Sequence, residues 1–220
     1  MTNIIIFTGK KQSGKDTSAL AFINSLPETE RPLVKQYSFA EPLKNFLINV
    51  FGFDFEQCYG TDEEKNSLTK IKWINLPFDV ETIQKLFKSA RPNDPMFDLD
   101  TRMTAREVMQ IFGSNVCRKM YNDCWAQATL NKILTDKPEY ALITDARFPN
   151  ELEVFKPYKP IIIRLSRDLF HSTHISETAL DGYDFSSFDD YGVIMNDNMT
   201  LETKNKWVVS CIQDALEARK

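Results

Sequence analysis

An α/β fold built on a parallel sheet is what the sequence predicts, and three observations carry that reading. A β-prone apolar run, Ile4 to Phe7, enters the stretch Gly9 to Thr17, after which Ala19, Phe22, Ile23 and Leu26 recur at helical spacing. Leu33 to Ala40 reads as a second strand. A helix follows at once, with Pro42 early in it and an apolar stripe of Leu43, Phe46, Leu47, Val50 and Phe51 that stops at Gly52. Strand, crossover helix and strand again is the signature of parallel pairing.

The stretch between the first strand and helix reads as a phosphate-binding loop. Gly9 and Gly14 bracket four residues and Lys15 comes next, so backbone N–H groups, including those of Lys11 and Ser13, can turn inward on an anion. Lys15 then reaches the terminal phosphates. The position after the lysine usually carries a metal-binding hydroxyl; here it is Asp16, with Thr17 following.

With 220 residues and 42% hydrophobic composition, the chain is expected to form one domain, residues 1–220, with a small inserted lobe. No apolar run approaches the roughly 20 residues that cross a bilayer. The opening residues show no basic leader, so no signal peptide is expected. Cys58, Cys117, Cys124 and Cys211 form no C-x-x-C pair and read as reduced thiols, which suits a cytoplasmic protein. A net charge of −4 argues against a nucleic-acid polymer as partner, while leaving a small phosphorylated ligand open. Arg102, Arg106, Arg118, Arg147, Arg164 and Arg167 offer donors suited to phosphates.

Residues 54–102 show a weaker pattern and are expected to be the inserted, mobile lobe, with a short amphipathic helix around Val80 to Phe87. Regular structure resumes at Thr104 and Glu107, spaced as a capping box, with a helix through Phe112 that Gly113 interrupts. Another helix carries Trp125, Ala128, Ile133 and Leu134, capped by Asn122 or Asp123. The strand Tyr140 to Thr144 ends at Asp145, at the edge where open parallel sheets bind ligands. That carboxylate can hold Mg²⁺, directly or through water, or orient an acceptor group. A further strand, Pro160 to Leu165, brings Arg164 and Arg167 to the same end, and residues 171–190 are expected to loop over the site. His171 and His174 fit capping or substrate contact better than a metal. Val193 to Met195 reads as a last strand, and Trp207, Val208, Cys211, Ile212, Ala215 and Leu216 as the inner face of a closing helix.

Five motifs together resemble the bacteriophage deoxynucleoside monophosphate kinases, a branch of the P-loop nucleotide kinases. They are Gly9-x-x-x-x-Gly14-Lys15-Asp16-Thr17, Ser38-Phe39-Ala40-x-Pro42-Leu43-Lys44, Gln110-x-Phe112-Gly113-Ser114 with Arg118 and Trp125 downstream, Asp145-x-Arg147-Phe148-x-Asn150-Glu151, and His174-x-Ser176-Glu177. The Gly-Lys-Asp variant belongs to that family's pattern.

The resemblance implies a P-loop NTPase-type three-layer fold and phosphoryl transfer from ATP, with Mg²⁺, to a deoxynucleoside 5′-monophosphate. It implies ATP contacts from Gly9, Lys11, Ser13, Gly14, Lys15, Asp16, Thr17 and Asn196, metal contacts from Asp16, Thr17 and Asp145, and catalytic roles for Lys15, Asp145, Arg147, Arg164 and Arg167. Acceptor contacts are expected from Ser38, Phe39, Lys44, Arg106, Gln110, Arg118, Trp125, His174 and Glu177. A homodimer in the host cytoplasm is compatible with it. A dephospho-coenzyme A or phosphomevalonate kinase, or a nucleotide-binding module without catalysis, stands as the alternative.

Overall fold

Four consecutive apolar residues, Ile4 to Phe7, can sit in one strand only if both faces of that strand are covered, and they are: β1 (Asn3–Gly9) lies at the centre of the sheet. The computed structural model describes residues 2–171 and 175–219. After β1 come α1 (Lys15–Ser25), β2 (Val34–Tyr37), α2 (Glu41–Phe51), α3 (Phe55–Tyr59), α4 (Asp62–Lys65), β3 (Leu68–Lys72), α5 (Val80–Ala90), β4 (Arg102–Thr104) and α6 (Ala105–Ile111). A π-helical stretch, Phe112–Cys117, leads to α7 (Arg118–Met120), α8 (Cys124–Asp136), β5 (Tyr140–Ala146), α9 (Pro149–Glu153), β6 (Ile161–Leu165), α10 (Ile175–Thr178), β7 (Asp190–Ile194) and α11 (Leu201–Glu217). Two compact units result, Met1–Glu41 with Trp125–Lys220, and Pro42–Cys124.

The first unit holds a five-stranded sheet in the order β2-β5-β1-β6-β7, every pair parallel. Side chains alternate across it as a strand's period of two requires. Ile4 and Ile6 pack with Leu130, Ile133 and Phe155 on one face, Ile5 and Phe7 with Phe22, Val208 and Ile212 on the other. Helices α8 and α9 thus form one outer layer, α1 and α11 the other, which is the three-layer P-loop NTPase-type arrangement. From β1 the chain runs out to β2, returns to β5 beside β1, then crosses to β6 on the far side. The direction of winding reverses at the carboxyl end of β1, where such sheets bind ligands.

One irregularity sits at that end. Ile6 pairs with Ile143 but Thr8 pairs with Ala146, so β5 carries one residue more than β1 across the Thr144–Asp145 step. A bulge of this kind re-aims a side chain, and here it falls at Asp145.

The second unit is built on the antiparallel pair β3-β4 and a core of Leu47, Trp73, Ile83, Phe87, Met103 and Val108. Residues 54–102 share this core with α2 and α6. Glu107, buried at 7%, joins the pieces: it accepts from the Thr104 N–H at 2.7 Å in the expected capping box, and from Arg91 Nη2 at 2.8 Å.

Several element boundaries differ from the sequence reading. The second strand stops at Tyr37, because Ser38 to Ala40 turn toward Asp145 rather than continue the ladder. Gly113 does not interrupt the helix: α6 passes into the π-helical stretch, and a Cβ on Gly113 would lie 2.8 Å from Leu43 Cδ2, so the glycine permits close packing. Of the α2 stripe only Leu47 is buried; Phe46 and Phe51 pack against the Phe112 ring, with centroids 5.2 and 5.3 Å away. The last strand begins at Asp190 and leaves out Met195. Trp207 faces outward on α11, while Val208 and Ile212 point inward. Among the described residues no helix is long and apolar enough to cross a membrane.

Because Phe87 is 1% exposed and Val80, on the same helix, 56%, the two test whether the second unit's core bears stability. Phe87→Ala is expected to cost about 3–5 kcal/mol in urea unfolding and Val80→Ala to stay within about 0.5 kcal/mol. Equal effects at both positions would contradict that core.

Candidate active site

The loop after β1 can turn sharply because its two glycines stand where no other residue fits. Gly9 has φ 140°, and a Cβ there would lie 2.6 Å from Leu165 O; Gly14, the N-cap of α1, has φ 103°. Ser13 N–H donates to Lys10 O at 3.1 Å and closes the turn. The Ser13 hydroxyl is buried without a partner among the described residues.

Lys15 is folded back over this loop, its Nζ donating to Gly9 O at 2.7 Å and Lys10 O at 2.8 Å. Burial, with Arg147 as the next cause, holds its pKa below the ordinary lysine value. Asp16 and Thr17 sit exposed on the first turn of α1.

Asp145, displaced by the bulge in β5, takes three donors from one short segment. Ser38 Oγ donates to it at 2.7 Å, Phe39 N–H at 3.0 Å and Ala40 N–H at 3.3 Å. The carboxylate therefore fixes the turn after β2. Phe39 is buried beneath this turn, edge-on to Phe155 at 5.8 Å between centroids.

A cavity of about 520 Å³ opens at the carboxyl ends of β1, β5 and β6, lined by Gly9, Lys10, Arg147, Arg164, Glu177 and Asp181 among others. Glu177 reaches into the loop region from α10. One of its oxygens accepts from the Lys11 N–H at 2.6 Å, and the other is paired with Arg147 Nη1. A carboxylate thus occupies donors of the kind a phosphate uses. Arg164 extends its Nη1 to Leu180 O at 2.9 Å, and its guanidinium lies 5.3 Å from the Phe185 ring centroid. Lys10 pairs with Asp168 at 2.9 Å and with Asp181 at 3.3 Å. The Asp168 hydrogen bond holds the lysine pKa up and, by the same contact, the aspartate pKa down.

Behind the loop, residues after β7 brace it. Asn196 is 1% exposed; its Nδ2 donates to Ser13 O at 2.8 Å while its Oδ1 accepts from the Arg167 N–H at 2.9 Å. Asn196 is among the ATP contacts that the resemblance implies, and its carboxamide ties two loops here. Arg167 turns its Nη2 to Asn196 O and Met199 O at 3.1 and 3.2 Å.

Lys204, which sequence reasoning missed, donates to Gly14 O, Thr17 Oγ1 and Ser18 Oγ at 3.1, 2.9 and 2.8 Å. Burial, then the neighbouring Arg167, lowers its pKa to about 8. The signal was available: Lys204, Val208 and Ile212 are four apart on one inward stripe.

The remaining expected acceptor residues divide between the two units. Trp125 belongs to the first unit and is half-buried on α8. Lys44, Arg106, Gln110 and Arg118 belong to the second unit. Lys44 Nζ sits 4.2 Å from the Tyr59 ring centroid, Arg106 pairs with Asp62, Gln110 is exposed on α6 and Arg118 half-buried on α7. His174 lies outside the described residues.

Among the described residues no three carboxylate, histidine or cysteine side chains cluster as a metal cage. Asp16 and Thr17 are exposed residues at the opening of α1, and the Thr17 hydroxyl donates to Gly14 O at 2.9 Å.

Comparison with known proteins finds relatives of this chain. The model of the deoxynucleotide monophosphate kinase family matches residues 55–207. A protein of Acanthamoeba polyphaga mimivirus bearing the name deoxynucleotide monophosphate kinase is 26% identical over 226 residues, covering 96% of this chain and 97% of its own. The deoxynucleoside-5′-monophosphate kinase of Escherichia phage T5 is 24% identical over 183 residues, 71% of this chain and 72% of its own. With most of its length inside the matched segment, the chain belongs to the deoxynucleotide monophosphate kinase family.

Proposed function

We propose that this kinase moves the terminal phosphoryl group of ATP onto deoxynucleoside 5′-monophosphates at the carboxyl end of β1. The observation that supports this most is the joining, in one cavity, of Gly9 and Lys10 from the start of the glycine-bracketed loop with Arg147 and Arg164. Phosphoryl transfer needs positioning and charge neutralisation more than covalent chemistry, and that is what these groups offer.

In this reading the amides of the loop and Lys15 hold the donor phosphates. Lys15 turns from the carbonyls of Gly9 and Lys10 onto phosphate oxygens, and Arg147 exchanges Glu177 for the transferred group. Asp145 holds the Ser38–Ala40 turn in place as part of the acceptor site. The family resemblance also implies acceptor contacts from Lys44, Arg106, Gln110 and Arg118 of the second unit. Arg164 and Arg167 contribute positive charge near the loop, each through a guanidinium already anchored to main-chain carbonyls. Asp16 and Thr17 would hold Mg²⁺, which when bound supplies charge neutralisation across the donor phosphates.

A coupled assay for ADP over the natural deoxynucleoside monophosphates is expected to show release from ATP only when an acceptor is present. Lys15→Met should lower kcat by about 10²–10³-fold. Release triggered instead by coenzyme A precursors or mevalonate phosphate, or a Lys15→Met protein turning over at the parental rate, would overturn the reading. Since Glu177 competes with phosphate for the Lys11 amide and Arg147, Glu177→Gln should tighten ATP binding about three- to tenfold in a titration without acceptor. Unchanged or weaker binding would show that its carboxylate is no competitor.

A further inference from the structure

Lys204 is a cation in a setting that answers its hydrogen bonds but not its charge. The side chain rises from the first turn of α11, and the residue is 3% exposed. Its three N–H donors meet three oxygens, and all three are neutral: the Gly14 carbonyl, the Thr17 hydroxyl and the Ser18 hydroxyl. The charged side chain acting on it is Arg167, another cation. Arg167 in turn donates to main-chain carbonyls, and its Nε is buried without a partner among the described residues. Burying a cation against neutral oxygens is costly unless an anion is present for part of its working life.

The three oxygens that Lys204 holds all belong to the turn that opens α1. Gly14 O is the N-cap carbonyl, and it also accepts from Ser18 N–H at 3.0 Å. The approach is close: a Cβ on Gly14 would lie 3.2 Å from Lys204 Nζ, while the glycine itself is required by its φ of 103°.

We propose that Lys204 is a positioning residue of the donor site, acting through Gly14, Thr17 and Ser18 to fix the first turn of α1, with its charge compensated by the bound polyphosphate. The inference rests on the reading of Gly9–Thr17 as the ATP loop. A lysine that merely pegged α11 to α1 would affect stability and leave ligand binding alone.

The test uses the full-length chain with Lys204→Met and Lys204→Gln. Three quantities are read: the ATP dissociation constant without acceptor, the KM for the best deoxynucleoside monophosphate, and melting temperature with and without saturating ATP. Lys204→Met is expected to weaken ATP binding about tenfold or more, to keep the acceptor KM within about twofold, and to lose most of the ATP-induced rise in melting temperature. Its nucleotide-free melting temperature should hold or rise, because an unpaired buried charge has been removed. Lys204→Gln, which retains two donors without the charge, should weaken ATP binding in the same direction.

ATP binding within about twofold of the parent in a folded Lys204→Met protein would overturn the inference. So would a joint fall of melting temperature, ATP affinity and acceptor affinity, or failure of both variants to fold, since each marks a structural peg. If the parent itself binds no ATP, the reading of the loop fails first, a result separable from a parent and variant that bind alike.

Discussion

At the end of β1 the chain has to reverse in a space that a single carbon atom would overfill. The Leu165 carbonyl of the neighbouring strand stands where the Cβ of any residue but glycine would go at position 9. Parallel pairing of β1 with β6 creates that crowding, since Gly9 and Leu165 are register partners. The same pairing holds the loop amides at the point where the sheet's winding reverses. Buried strand, tight turn and helix N-terminus are therefore one construction, and the phosphate chemistry depends on all three at once.

Around this turn the first unit keeps opposite charges in deliberate balance. Lys10 is held by Asp168 and Asp181, Arg147 by Glu177, and Lys15 by two carbonyls. Each cation is thus oriented by a partner that a phosphate oxygen can replace. Arg167 and Lys204 lie behind the loop, Arg167 on the carbonyls of Asn196 and Met199 and Lys204 on oxygens of Gly14, Thr17 and Ser18.

Much of the fold and the shape of the loop were legible in the sequence because their signals are local. The loop spacing, the apolar run before it and the capping box of Thr104 and Glu107 each span a few residues and rest on one rule of backbone geometry. Asp145 was legible as a strand-end carboxylate, but not as the anchor of Ser38 to Ala40, since the extra residue in β5 depends on pairing with β1. The braces were illegible for a related reason. Asn196 and Lys204 meet the loop from the far end of the chain, and no periodicity links positions so distant. In the second unit, Trp73, Phe87 and Met103 come from separate short elements, so no single window displays the core they share.

That distance bears on how the protein is made. During synthesis the loop emerges with β1 and α1 before Asn196 and α11, which follow only when β7 has been completed. A ribosome-bound intermediate would display the motif without its braces, as a bend with nothing behind it. Under the proposed reading, competence for nucleotide would then wait on the docking of α11.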